Sequence, residues 1–251
     1  MIACKNVSFA YPAGTGSEDA PGGRLKNITL EIAGGEFVLL CGASGCGKTT
    51  LTRLFNGLIP HYYEGSLSGT VTLDGEALAD MSLFDISARV GSVFQNPQAQ
   101  FFNVDTTAEV AFGPENHGLP EATIRARVDQ VAEELALGNL LGRSIFSLSG
   151  GEKQKIACAS AAAVEPDVMV LDEPSSNLDA DAIGDLRELL AIFKGQGKTV
   201  IIAEHRLYYL WDLADRVIFL REGEIAGDYT AAEFAALGEA QREAMGLRPL
   251  R

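Results

Sequence analysis

The residues Gly42, Ala43, Ser44, Gly45, Cys46, Gly47, Lys48 and Thr49 fit the spacing G-x-x-x-x-G-K-[ST], a grip for phosphate. Gly42, Gly45 and Gly47 allow backbone N–H groups to turn inward toward phosphate oxygens. Lys48 would place a point charge on the β- and γ-phosphates of a nucleotide. The Thr49 hydroxyl would reach Mg²⁺, and Thr50 completes the cradle. A second set of candidates closes the apolar stretch VMVLDE (168–173). There Asp172 would hold the magnesium, directly or through water, and Glu173 would polarise an attacking water as general base.

Three single residues gain interest from this company. Gln95 follows the apolar stretch VGSVF, where a neutral amide can reach magnesium or the lytic water; such a residue is otherwise merely exposed. His205 closes TVIIAEH and could touch the γ-phosphate, the alternative being a structural histidine. Tyr11 in FAYP could stack on adenine or be a half-buried strand residue. Cys46, beside Lys48 at a helix start, is expected to favour its thiolate. A further stretch, LSGGE (148–152), presents Ser149, Gly150 and Gly151 at the start of a helix, a second place suited to an anion.

These groups need elements to hold them. Residues 2–11 and 25–33 alternate as strands do, and EFVLLCG (36–42) is an apolar run ending on glycine, as a buried strand does before a tight turn. Lys48 to Gly57 reads as a helix; GTVTLDG and VGSVFQ read as strands. From about 96 to 163 helical spacing dominates, as in EATIRARVDQVAEELAL (121–137). Strand and helix then alternate again through VMVLDEP, DADAIGDLRELLAIFK, KTVIIAEH and DRVIFLRE. The pattern predicts an α/β core, residues 1–228, with a helical insert at about 96–163 and a short helical tail over 229–251. Thr230 and Glu233 have capping-box spacing in that tail.

Composition narrows the chemistry. The 251 residues carry a net charge of −14, which disfavours non-specific binding to nucleic acid. The four cysteines make no CxxC pair, and only three histidines are present, so neither a zinc knuckle nor a disulfide framework is expected. No apolar run approaches the ~20 residues that span a bilayer, and the first residues lack a signal-peptide core. A soluble chain is expected, with any membrane role supplied by partners.

The order Tyr11, GASGCGKT, Gln95, LSGGE, VMVLDE, SNLD, His205 resembles the ATP-binding-cassette ATPases over nearly the whole chain. The resemblance implies a phosphate-loop ATPase fold with an antiparallel β subdomain and an inserted α-helical subdomain, working on ATP and Mg²⁺. It also implies head-to-tail pairing of two cassettes, as a homodimer or a heterodimer. Ser149, Gly150 and Gly151 of one would then grip the γ-phosphate held by the other, with Asp179 communicating between the two sites. This would explain why one chain carries two phosphate grips. The stretches 57–75 and 93–116 look like the ATPases of energy-coupling-factor transporters. Those take up vitamins or transition-metal ions through a transmembrane coupling protein and a substrate-binding membrane subunit, at the cytoplasmic face of the membrane. Phe101 and Phe102 would line a groove for the membrane partner or belong to the core of the insert. Glu152, Lys155 and Asn177 depart from the family's commoner Gln, Arg and Ala. A conventional importer or exporter motor is the alternative within the family. A soluble non-transport cassette, or a module that binds ATP without turning it over, lies outside it.

Overall fold

A computed structural model describes residues 1–12, 24–238, 241–242 and 245 of the chain. Its first strands are β1 (Ile2–Ala10) and β2 (Leu25–Ile32), whose alternation buries Val7 against Ile28 and Phe9 against Leu25 in antiparallel register. Next comes β3 (Phe37–Cys41), buried at every position, followed by α1 (Lys48–Phe55) and α2 (Leu58–His61). After these run β4 (Ser66–Leu73), β5 (Glu76–Ala77), α3 (Leu83–Arg89) and β6 (Val90–Val93). Between Val93 and Val168 the regular elements are helical: α4 (Thr106–Asn116), α5 (Glu121–Glu134), α6 (Gly150–Ala162) and two short 3-10 turns. The chain returns through β7 (Val168–Asp172), α7 (Ala180–Gly195), β8 (Thr199–Ala203), β9 (Arg216–Arg221), β10 (Glu224–Thr230) and α8 (Ala231–Ala236).

Two sheets result. β2-β1-β4-β5 is antiparallel, and the six-stranded sheet runs β10-β9-β3-β8-β7-β6, parallel except for β10. β3, β7 and β8 are near-continuous apolar runs because both their faces are covered. Phe37, Leu39 and Cys41 of β3 enter a core shared with the helices α4 to α7, while Val38 and Leu40 enter a second core with the antiparallel sheet and α1. β7 and β8 divide their side chains in the same way: Met169, Leu171, Val200 and Ile202 go to one core, and Val168, Val170, Ile201 and Ala203 to the other.

The capping box on α8 forms as its spacing predicts: Thr230 Oγ1 accepts from the Glu233 N–H and Glu233 accepts from the Thr230 N–H. The expected limit of the core at 228 falls inside β10, whose last pairs are Tyr229 with Val217 and Thr230 with Arg216. β10 and α3 went unread in the sequence. In β10 the half-buried alternation of Ile225 and Tyr229 is interrupted by Gly227, and it is the pairing with β9 that identifies the strand. α3 is a short helix capped by Ser82, which accepts from the Asp85 N–H. No helix among the described residues is long and apolar enough to cross a membrane.

Candidate nucleotide site

The sheet order places the carboxyl ends of β3, β8, β7 and β6 side by side, at the edge where open α/β sheets bind ligands. Four of the sequence-selected groups follow these ends: the phosphate loop follows β3, Glu173 follows β7, His205 follows β8 and Gln95 follows β6. In the loop, Gly42 has φ 145° and a Cβ there would lie 2.3 Å from the Leu220 carbonyl oxygen. Gly47 caps α1 with φ 111°, where a Cβ would strike Leu25 at 2.8 Å. Both positions therefore demand glycine for conformation and for space. No side chain caps α1, so its first N–H groups keep their capacity to meet an anion.

Lys48 is buried, with Nζ donating to the carbonyls of Gly42 (3.0 Å) and Ala43 (3.2 Å). The ammonium is thus held inside the loop it is meant to serve. Thr49 Oγ1 donates to Asp172 Oδ1 at 3.2 Å. Burial pushes the Asp172 carboxyl up to about 6, against the opposing hydrogen bond from Thr49. A hydroxyl and a carboxylate of this kind are hard oxygen donors, and a carboxyl disfavoured by burial gains from a cation beside it. The pair therefore fits Mg²⁺.

Glu173 leaves β7 with φ 45° and its N–H bound to the Ala203 carbonyl at 2.8 Å, which fixes the turn against β8. Gln95 Nε2 donates to Glu173 Oε2 at 3.0 Å, and His205 Nε2 lies 2.9 Å from Glu173 Oε1. The hydrogen bond from His205 holds the Glu173 carboxyl below the usual carboxylate range despite partial burial. A group kept ionised at the carboxyl edge of the sheet is suited to accept a proton.

Sequence reasoning missed the group that ties this corner together. Glu204 is buried, and its Oε2 accepts from the Ser175 hydroxyl (2.7 Å) and the Tyr209 hydroxyl (3.0 Å). Its Oε1 accepts from the His205 N–H (2.7 Å) and the Arg206 N–H (3.1 Å). It thereby joins the segment after Glu173 to the segment that presents His205. A carboxylate directly following the apolar run of β8 was the available signal.

The expected thiolate at Cys46 is overturned. The side chain is only 6% exposed, and burial raises its pKa more than Lys48 and the backbone hydrogen bonds lower it. Proximity to a cation was legible; the enclosing side chains were not. All four cysteines are buried thiols.

The LSGGE stretch opens α6. Ser149 Oγ accepts from the Glu152 N–H (3.2 Å), and Glu152 Oε2 accepts from the Ser149 N–H (2.7 Å). Arg143 Nη1 donates to Glu152 Oε1 at 2.9 Å. Ser149 and Gly150 are exposed, and Gly151 is needed because a Cβ there would lie 2.6 Å from the Ala182 Cβ. Asp179 caps α7, accepting from the Ala182 N–H at 2.9 Å, and the Asn177 carbonyl would lie 3.6 Å from a Cβ on Gly150, so the SNLD segment lies against the opening of α6. The two readings of the phenylalanine pair separate. Phe101 packs on the helical core, while Phe102 is 77% exposed and stacks on Phe112 with centroids 4.8 Å apart. Tyr11 is half-buried; its hydroxyl accepts from Arg53, and its ring meets Phe9 and Tyr63 edge-on.

With this geometry in view, likenesses to known proteins become specific. Residues 25–176 match the family described as ABC transporter. A putative ABC transporter ATP-binding protein of Treponema denticola is 53% identical over 248 residues, which cover 99% of this chain and 50% of that protein. A Pyrococcus furiosus protein of the same description is 38% identical over 90% of this chain and 82% of its own length. The chain spans about half the length of the Treponema relatives it matches. Among solved structures, CbiO1 of Clostridium perfringens, part of the ABC transporter complex CbiONQ, has a TM-score of 0.81 at 30% identity, covering 97% of this chain and 93% of that one. The dimeric bacterial ABC transporter cassette MJ0796 has a TM-score of 0.77 at 26% identity, covering 92% and 99%. The chain belongs to the ABC transporter family, as one of its ATP-binding ATPase cassettes.

Proposed function

We propose that the chain is the ATP-hydrolysing subunit of a membrane transporter of the energy-coupling-factor type. It would power import of a vitamin or transition-metal ion through separate membrane subunits. The observation that carries the hydrolytic part is the convergence of Gln95 and His205 on Glu173, at 3.0 and 2.9 Å. The energy-coupling part is supported by the likeness over 97% of the chain to CbiO1, which belongs to a CbiONQ complex.

In this reading the first N–H groups of α1 and the Lys48 ammonium bind the β- and γ-phosphates of ATP. To do so Lys48 exchanges the carbonyls of Gly42 and Ala43 for phosphate oxygens, so its charge is used without first being stripped of water. Thr49 and Asp172 would hold Mg²⁺, with Gln95 close by, and the ion supplies neutralisation of the phosphate charge. Glu173 accepts the proton of the attacking water as its oxygen bonds to the γ-phosphorus, and the bond to ADP breaks. His205 keeps Glu173 ionised beforehand and orients it. Ser149, Gly150 and Gly151 present a helix start to the γ-phosphate held by a second cassette, identical or related. The net charge of −14 favours protein and nucleotide partners over nucleic acid. The chain would sit on the cytoplasmic face of the membrane, with the exposed Phe102 toward the transmembrane coupling protein.

The test uses the Glu173→Gln variant with ATP as bait on detergent-solubilised native membranes. Recovery of one transmembrane coupling protein and one small substrate-binding membrane protein is the expected result. Two copies of an ordinary permease would replace this reading with a conventional transporter, and soluble partners alone would end the transport assignment.

A further inference from the structure

Arg53 stands five residues after Lys48, on the helix rooted in the phosphate loop. Its Nη1 donates to the Tyr11 hydroxyl at 2.9 Å across 42 residues of sequence. The same guanidinium lies 4.1 Å from the centroid of the Tyr63 ring and 6.0 Å from that of Tyr11. Tyr11 is further braced by two edge-on contacts, Phe9 at 4.8 Å and 87° and Tyr63 at 6.2 Å and 89°. A ring just past the end of a strand is thus held at its tip by a charge-assisted hydrogen bond and along its edges by two aromatics.

We propose that Arg53 is a positioning residue for the nucleotide base: it fixes the plane of Tyr11 so that the ring face receives a purine. This rests on the nucleotide reading of the site. Stacking on an aromatic ring strengthens binding only to the extent that the ring is already oriented, since otherwise its rotamer freedom is lost on binding. Arginine suits the task, because a planar fork can donate to a phenol while its face lies on a second ring. The arrangement also couples the two ends of a nucleotide mechanically. α1 begins at the phosphates and, one and a half turns later, delivers the group that sets the base platform.

The bland alternative is that Arg53 only pins the antiparallel sheet to α1. A second alternative is that its charge acts on the phosphate end, since it helps to stabilise the ionised Asp172. Binding to the full chain separates these. Dissociation constants are measured by calorimetry for ATP and for inorganic triphosphate, each with Mg²⁺, on wild type, Arg53→Met, Tyr11→Phe and the double variant. We expect Arg53→Met to weaken ATP about ten-fold and to leave triphosphate within about two-fold. Tyr11→Phe, which removes only the accepting oxygen, should weaken ATP in the same sense, and the double variant should be no worse than Arg53→Met. Equal loss for ATP and triphosphate would place Arg53 at the phosphates and overturn the proposal, as would unchanged ATP binding or additive effects. If Arg53→Met does not fold, Tyr11→Phe against wild type carries the same ATP-to-triphosphate comparison. Wild type that binds neither ligand would refute the nucleotide reading itself, a result distinct from binding that the variants leave untouched.

Discussion

In the proposed reading the phosphate loop with its partners and the opening of α6 both meet phosphate, yet they are finished to different degrees. Around the loop, Lys48, Thr49, Gln95, Asp172, Glu173 and His205 are bonded to one another or to the loop from four separate segments. Lys48 is only 3% exposed, and the corner is tied from behind by the buried Glu204. At α6 the exposed Ser149 and Gly150 look outward, and the side-chain bonds of Ser149 are local, within its own capping box. What touches it from beneath is the Asn177 carbonyl and the Ala182 side chain, which support the helix. In the proposed reading the first region is a catalytic centre organised within one chain. The second is a rigid face, whose rigidity is useful only to something brought against it.

The largest break in this contrast should come from Glu173→Gln. The amide keeps the shape and loses the base, so phosphate release should fall about 10²–10⁴-fold while ATP affinity stays within about two-fold. Turnover close to wild type would remove Glu173 from its role. The complementary break is Ser149→Arg, which fills the outward face and spares the inner one. Light scattering should then show no ATP-dependent dimer, whereas ATP binding by the monomer persists; normal dimerisation would mean the face has no such use.

A smaller effect sharpens the inner region alone. The Asp172 carboxyl sits at about 6 in the folded chain against an ordinary 3.8, so its protonated form is the one favoured by folding. That contribution is complete below about 3.8 and is lost as pH rises through about 6. Asp172→Asn mimics the protonated form. In the absence of nucleotide and Mg²⁺ it should stabilise the protein at pH 8 by about 1–3 kcal/mol, or about 2–6 °C in Tm, and by only about half as much at pH 5. Equal shifts at both pH values would deny the burial penalty. The smallest effect belongs to the outer region. Glu152→Ala opens the capping box and leaves Arg143 without its carboxylate, at a cost of about 0.5–2 kcal/mol in thermal unfolding. No change would show that the face is held from beneath by Ala182 rather than by its own cap.

Much of this was legible from the chain because the causes are local. Gly42 and Gly47 announce a loop that only glycine can make; Ser149 before Gly150 and Gly151, and Thr230 with Glu233, announce helix starts within four residues. Strands such as β3, β7 and β8 announce burial on both faces through unbroken apolar runs. Local causes also misled. Cys46 beside Lys48 looked like a thiolate, and only the packing that encloses it reverses the sign.

By itself the sequence determined which residues could grip phosphate, where strands deliver them and where helices begin, since dihedral preference, capping and hydrophobic period act within a few residues. Only the tertiary structure decided that Gln95 and Glu173 meet across 78 residues, that Thr49 reaches Asp172 across 123, and that Arg53 holds Tyr11 across 42. The lateral order β3-β8-β7-β6 sets most of those meetings, and neither strand order nor the dielectric around a buried carboxyl is written in the order of residues.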